Sequence, residues 1–483
     1  ILNEWESTLE QIASRWPSLW DFEQDLKAKV GPLSVMKPLS DRLEDIDAYY
    51  DLITLDQVPI SDAAIAAVVS EWGGAKLTPR RLQSTVDIMK KSTNSGAPYF
   101  TKRRAVVAKT MIPDVMWRDG VSYQILNLPH VGNDYRNTAI LGWRGQEGGP
   151  DEEDVKQRVI WMFPFAMNIL ELSVYQVLIE YAQDRSLIPA WVSMDAVDQA
   201  ITKLFRTKGN NDIVCTDFSK FDQHFNPVCQ EAARMILSQI LDKSSTSTKW
   251  LEDVFPIKYS IPLMIDWGEI RTGAHGMASG SGGTNADETL VHRALQYEAA
   301  QNRNKTLNPY SQCLGDDGIL SYPSISVKEV MQTYSKHGLE MNADKQYVSK
   351  HDCVYLRRWH HEDYKVGGIN VGVYSTFRAL GRLIYQERFY DPEVWSREMV
   401  ALRMLSILEN VKYHPLRDQF ADFVLQRDKF RLGLDLPGFL DNIDRIGQES
   451  IDLLPDFLGY TKTMQRSHGL SSWWIVRYLK SKR

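Results

Sequence analysis

Two adjacent acids, Asp316 and Asp317, sit between Gly315 and Gly318 and between the apolar pairs Cys313-Leu314 and Ile319-Leu320. That order predicts strand, tight turn, strand. Two carboxylates are thereby crowded at the tip of a hairpin, which is electrostatically costly unless a cation is near. Hard divalent ions favour carboxylate oxygens, so magnesium or manganese is the natural occupant. Asp-Gly is also an ordinary hairpin turn pair, and these few residues by themselves read more simply that way. A third acid enlarges the set. Ile213-Val214-Cys215-Thr216 has the composition of a buried strand and ends in Asp217, with Asp222 five residues on.

The elements that must position these acids follow in order. A helix is expected from about Pro227 to Leu241, after which Lys243 to Lys249 reads as a surface loop. Gly273, Gly276, Ser279, Gly280, Ser281, Gly282, Gly283, Thr284 and Asn285 make a glycine-rich loop that opens a helix running to about Ala300. Backbone N–H groups there can meet an anionic or polar ligand; a plain linker is the alternative. Ser326 and Glu329 have capping-box spacing, and Gly338 stands where that next helix stops. Lys345 follows in a turn, and Val354 to Trp359 reads as one strand with a basic tip, Arg357 and Arg358. The succession is β-α-β-β-α-β with insertions. Acids at strand ends far apart in sequence can converge on one edge of such a sheet, where two metal ions roughly 3.5–4 Å apart clamp a phosphoryl transfer. Upstream, residues 78–91 read as a helix and Ser92 to Tyr99 as a polar loop. Val155 to Met162 alternates as a strand with Lys156 and Arg158 on one face, either a solvated edge or a phosphate-binding face.

The 483 residues, 43% hydrophobic and 24% charged, have a globular composition with room for several subdomains. No apolar run is long enough to span a membrane, so no membrane partner is expected. Cys215, Cys229, Cys313 and Cys353 lack paired spacing and are expected to be free and buried. Its 56 basic and 62 acidic residues leave a net charge of −6, the wrong sign for a generic nucleic-acid binder. A chain of this charge that handles nucleic acid must gather its cations in an interior channel.

Taken together and in this order, the patterns resemble viral RNA-dependent RNA polymerases over about residues 95 to 360. Asp217-x4-Asp222 resembles motif A of that family, Ser279-Gly280 through Thr284 motif B, and Gly315-Asp316-Asp317 motif C. Gly338-Leu339 through Lys345 is similar to motif D, and Tyr355-Leu356-Arg357-Arg358 to motif E. Lys156 to Arg158 resembles motif F and Asn94-Ser95-Gly96-Ala97-Pro98 motif G. The wording of motifs A and B is most similar to picobirnaviruses, then partitiviruses and the double-stranded RNA phages. Many positive-strand relatives carry Asn four positions after the motif B Thr; here that position is Glu288, and an Asn directly follows the Thr as Asn285.

The resemblance implies an α+β fold, mostly helical around a central antiparallel palm sheet, in an encircled right hand. Its divisions would be an N-terminal extension bridging fingers and thumb (1–80), fingers (81–210), palm (211–225), palm helix and fingers insertion (226–272), palm (273–365), and thumb with C-terminal tail (366–483). It implies template-directed RNA synthesis, serving replication and transcription of a segmented double-stranded RNA genome. Asp217, Asp316 and Asp317 would hold two Mg2+ or Mn2+ ions, with Lys345 as general acid. Asp222, Ser279, Gly280, Thr284, Asn285, Lys156, Arg158 and Arg144 would bind the ribonucleoside triphosphate. Ser95, Gly96, Arg357 and Arg358 would contact RNA template and nascent RNA. A viral capsid protein is the implied partner, in the virion interior and host cytoplasm. A reverse transcriptase shares the palm but places an aromatic residue where Asp222 stands. A non-catalytic RNA-binding capsid component is the other rival, and it has no need of the intact acid set.

Overall fold

The computed structural model describes residues 1–111, 113–118, 123–128, 131–450 and 469–483. Four helices open the chain: α1 (Leu2–Leu9), α2 (Pro17–Lys27), α3 (Leu43–Asp51) and α4 (Asp62–Glu71). Pro17 takes the first helical position of α2, where a missing N–H is no loss. Trp5, Leu9 and Leu19 are buried in a core shared with Trp359, Phe377 and Phe420. Ile46, Tyr49, Ile65 and Val68 instead enter a larger core with Trp161, Val214 and Leu320. One N-terminal stretch therefore contributes to two separate hydrophobic cores.

The helix expected over 78–91 is the shorter α5 (Leu82–Ile88), followed by α6 (Val107–Thr110). The Arg80 amide donates to the Ser173 carbonyl at 2.7 Å, which ties the chain ahead of α5 to a neighbouring element. Strands β1 (Asp114–Arg118), β2 (Tyr123–Leu128) and β3 (Gly132–Arg136) form an antiparallel sheet. β4 (Ala139–Gln146) and β5 (Lys156–Met162) pair antiparallel with Arg144 opposite Arg158. Lys156 and Arg158 are exposed on β5 while Gln157 between them is buried, as the two-residue period requires. Then come α7 (Phe165–Asp184), α8 (Pro189–Val192) and α9 (Met194–Thr207).

β6 (Ile213–Thr216), β7 (Phe218–Ser219), α10 (Phe221–His224) and α11 (Pro227–Ile240) come next. The stretch Lys243 to Lys249, expected as a loop, instead begins α12 (Ser245–Asp253). The Ser244 hydroxyl caps it by accepting from the Ser247 amide at 3.2 Å. Asp242 takes the Ser244 and Ser247 hydroxyls at 2.6 Å each, and Trp250 is buried. A serine-rich run that looks like solvent-exposed linker is thus a capped helix with one apolar anchor. β8 (Leu263–Asp266) and β9 (Glu269–Arg271) extend the β4–β5 sheet.

After α13 (Thr284–Gln301) come β10 (Gln312–Leu314), β11 (Asp317–Leu320), α14 (Val327–Ser335), β12 (Glu340–Met341) and β13 (Tyr347–Ser349). The central sheet runs β10-β11-β6-β13, antiparallel throughout. α14 starts where the Ser326 hydroxyl accepts from the Glu329 amide at 3.3 Å, as the spacing predicts. β14 (Asp352–Tyr355), β15 (Arg358–His361) and β16 (Val373–Tyr374) make a separate sheet. The single strand expected over Val354–Trp359 is therefore a hairpin. Its two-residue turn, Leu356-Arg357, has φ of 52° and 58°, which neither residue type signals. Helices α15 (Thr376–Ile384), α16 (Arg397–Glu409), α17 (Arg417–Leu425), α18 (Ile443–Ser450) and a last one at Trp474–Lys480 follow. The part of the 366–483 expectation that covers 451–468 lies outside the described residues. All four cysteines are free and buried. Among the described residues no helix is long and apolar enough to cross a membrane.

Candidate active site

Thr216 on β6 pairs with Gly318 on β11, so Asp217 leaves its strand level with Asp317. Leu314 pairs with Asp317 across the two-residue turn Gly315-Asp316. Gly315, at φ 58°, supplies the left-handed conformation that such a turn needs at its first central residue. Three acids from two distant stretches thus meet at one sheet edge. α13 supports the hairpin from beneath. The Gly315 amide donates to the Thr289 hydroxyl at 2.9 Å, and His292 Nδ1 lies 2.8 Å from the Gly315 carbonyl oxygen. The Gln296 side chain donates to the carbonyls of Gln312 at 2.9 Å and Ile319 at 3.2 Å. Positions 289, 292 and 296 form one stripe at helical spacing.

Asp217 is held through its own backbone and carboxylate. Its amide donates to Gln346 Oε1 at 3.0 Å, and Gln346 Nε2 donates back to its carbonyl at 2.7 Å, as a strand partner would. The Asn342 side-chain amide donates to Asp217 Oδ1. Asp317 accepts from the Leu356 amide at 2.9 Å. Surrounding protein and then the charge of Asp316 push the Asp317 carboxyl up to about 7. Asp316 stands at the turn tip, reached by solvent yet crowded by protein. That crowding, and then the charge of Asp222, raise its carboxyl, with Arg158 opposing. Among the described residues no three His, Cys, Asp or Glu side chains form a ready-made metal cage. The acids form an open site instead. Hard oxygen donors destabilised by mutual repulsion fit a hard divalent cation.

Asn285 and Ser279, expected with Asp222 at the nucleotide, do not hold its carboxylate. Both are engaged elsewhere. Asn285 is exposed and accepts from Trp191 Nε1 at 2.8 Å, and the Ser279 hydroxyl donates to the Val159 carbonyl at 3.2 Å. The partner is Glu288, only 4% exposed and hydrogen-bonded to Asp222. Two carboxyls can share a hydrogen bond only if one keeps its proton. Burial, and then the Asp222 charge, raise Glu288 well above its ordinary range. Its spacing of four from Thr284, one turn along the same helix face, was the available signal.

The glycine loop lies against β5. A side chain at Gly280 would come within 1.5 Å of the Trp161 carbonyl oxygen, so only glycine fits. The loop amides expected to face a ligand are partly engaged: Gly282 N–H donates to Glu171 at 3.1 Å and Gly283 N–H to the Ser281 hydroxyl at 3.0 Å. The Thr284 hydroxyl donates back to the carbonyls of Ala278 and Ser281. Asn168 on α7 donates to the Gly280 carbonyl at 3.3 Å. Neither Glu171 nor Asn168 had a sequence signature. Ser95 and Gly96 are buried beside the end of β5, where the Ser95 carbonyl accepts from the Phe165 amide at 2.8 Å.

Lys156 and Arg158 lie on the exposed face of β5, and the Arg158 charge lowers the carboxyls of Asp316 and Glu288. Lys345 is exposed at the end of the turn that carries Asn342. Arg144 is ion-paired with Glu387. Arg357 is exposed, 3.7 Å from Glu147. Arg358 turns inward over the Tyr374 ring at 5.6 Å, where the Asp198 charge offsets the cost of its burial. The structure therefore gathers Asp217, Asp222, Asp316, Asp317 and Arg158, and directs Arg144 and Arg358 to partners of their own.

The family model for viral RNA-dependent RNA polymerase matches residues 75–367. The chain is 60% identical over 493 residues to a potential RNA-dependent RNA polymerase of human picobirnavirus, covering 100% of this chain and 91% of that protein. It matches a crystal structure of the RNA-dependent RNA polymerase of a human picobirnavirus with TM-score 0.94 and 59% identity. An insertion-loop deletion mutant of such a polymerase gives 0.93 and 58%. Both matches cover 100% of this chain and 91% of the other.

Proposed function

Because the chain belongs to the viral RNA-dependent RNA polymerases, a family that uses divalent metal in general, we propose that Asp217 and Asp316, assisted by Asp317, are its ligands for two Mg2+ or Mn2+ ions. Bound there, the ions supply activation of the primer 3′-hydroxyl and neutralisation of the pyrophosphate leaving group. Asn342 and Gln346 fix Asp217, and α13 fixes the hairpin that carries Asp316 and Asp317. Arg158 and Lys156 present cations to the triphosphate from one strand face. Lys345 delivers a proton to pyrophosphate. Ser95 and Gly96 border the template path. Residues 1–80 bridge fingers (81–210) and thumb (366–483) around a palm of 211–225 and 273–365. The dual membership of residues 1–80 in the two cores supports that division. Likeness to picobirnavirus polymerases supports a capsid protein as partner, and the virion interior and host cytoplasm as location.

The observation that carries this reading is the register that sets Asp217 level with Asp317 beside a basic strand. The test is incorporation of labelled ribonucleotides on an RNA template, with and without a chelator. Synthesis that survives complete chelation would remove the metal assignment.

In this reading the Glu288–Asp222 pair reads the sugar. Glu288 donates to one Asp222 oxygen, and the other accepts from a ribose 2′-hydroxyl. A deoxyribose leaves that acceptor unpaired, a cost of about 1–3 kcal/mol. The ratio of ribonucleotide to deoxyribonucleotide kcat/KM should therefore fall roughly tenfold or more in Asp222→Ala and in Glu288→Leu. Glu288→Gln keeps a donor toward Asp222 and should retain the ratio. An unchanged ratio in Asp222→Ala would revive the reverse-transcriptase alternative.

A further inference from the structure

Beyond α2 the chain crosses the junction of β4, the β14–β15 turn and α15. Its course there is fixed by backbone packing. A side chain at Gly31 would meet the Gly149 carbonyl oxygen at 1.6 Å, and one at Gly145 the Leu33 carbonyl oxygen at 1.7 Å. Further along, Gln157, buried between Lys156 and Arg158, is clasped by the same segment. Its side chain donates to the Val35 carbonyl and accepts from the Lys37 amide at 3.1 Å and Arg42 Nε at 3.0 Å. Residues 30–42 thus ride on the back of β5.

Lys29 stands at the start of this crossing, exposed to solvent. The segment it leads into lies on residues 145–149, where Gln146 stands opposite Lys156 on β5 and Glu147 is 3.7 Å from Arg357 in the β14–β15 turn; the charges of Lys156, Arg357 and Lys345 act on Lys29. Close packing first, and then these like charges, push its ammonium below the ordinary range, with Asp25 opposing. Among the described residues Lys29, Lys156 and Lys345 have no ion-pair partner. Arg357 has Glu147 at 3.7 Å, but Arg378 holds that carboxylate more closely, at 2.5 Å. Four cations from four separate stretches, three of them without an ion-pair partner among the described residues in a chain of net charge −6, are unfavourable together unless an anion joins them. An anion that satisfies several cations at once carries several adjacent charges.

We propose that Lys29 belongs to the nucleotide site: with Lys156, Lys345 and Arg357 it forms a polyphosphate-binding cluster that the N-terminal segment completes. The cluster rests on the reading of Asp217 and Asp316 as catalytic. It assigns Arg357 to phosphate and gives residues 1–80 a chemical role beyond bridging. The ligand is the triphosphate of the incoming nucleotide, the departing pyrophosphate, or both in turn.

The test uses the full chain carrying Lys29→Gln or Lys29→Arg, with steady-state kinetics on a primed RNA template. Lys29→Gln should raise KM for ribonucleotides roughly tenfold with kcat little changed, the signature of lost uniform binding. Lys29→Arg should restore KM to within about twofold, because it keeps the charge. Added pyrophosphate distinguishes the sources. Inhibition weakened in parallel with KM assigns both ligands to the cluster, and unweakened inhibition assigns the triphosphate alone. An unchanged KM in Lys29→Gln overturns the proposal, as does weakened RNA binding with KM unchanged. Failure of the underlying site shows separately, as synthesis by Asp217→Ala. Because Lys29 is exposed and has no ion-pair partner among the described residues, its variants should melt at the wild-type temperature.

Discussion

Asp217→Ala and Asp316→Ala should each reduce RNA synthesis by at least about 10³-fold, the scale of several kcal/mol of lost transition-state stabilisation. Neither acid does its work through packing. Asp217 projects from the end of β6 with its backbone held by Gln346, and those hydrogen bonds persist in an alanine variant. Asp316 occupies a turn tip where Asp222 and Asp217 repel it. Removing one charge from such a group relieves repulsion, so the melting temperature should hold or rise. The two measurements belong together. Lost synthesis with an intact melting transition identifies a metal ligand, whereas lost synthesis with a collapsed one identifies a structural residue. Synthesis near the wild-type rate in either variant would sink the assignment.

Lys345→Leu should slow the chemical step by about 10²–10⁴-fold, the usual contribution of a positioned general acid. Lys345 is exposed, with no ion-pair partner among the described residues, so leucine there disturbs no core. Three residues earlier Asn342 touches the Asp217 carboxylate, and one residue later Gln346 brackets its backbone. The lysine is thus carried on the same short turn that fixes the strand end bearing Asp217. Rapid-quench single-turnover rates isolate the step from product release. Lys345 also lies in the field of Lys29, so a modest rise in nucleotide KM should accompany the loss. A changed KM with an unchanged single-turnover rate would leave Lys345 a phosphate contact rather than an acid.

Local chemistry in the chain already determined much of this. Gly315-Asp316-Asp317-Gly318 between apolar pairs forces a carboxylate-tipped hairpin, because glycine permits the turn and the flanks demand a sheet. The alternation in Val155 to Met162 puts Lys156 and Arg158 on one face by strand geometry alone. Ser326 caps its helix because its hydroxyl reaches an amide three residues on. The order of these signatures was enough to show the family. Tertiary structure decided what depends on contacts between distant segments. Only the β6–β11 register sets Asp217 level with Asp317. Only packing of α13 behind the hairpin places Glu288, rather than Asn285, on Asp222. The Leu356-Arg357 turn has left-handed angles that its residue types do not advertise, imposed by the strands on either side. Glycines on both sides let the chain of residues 30–33, just beyond Lys29, press directly on residues 145–149. That last contact joins stretches more than a hundred residues apart, where no periodicity or cap in either stretch records the other.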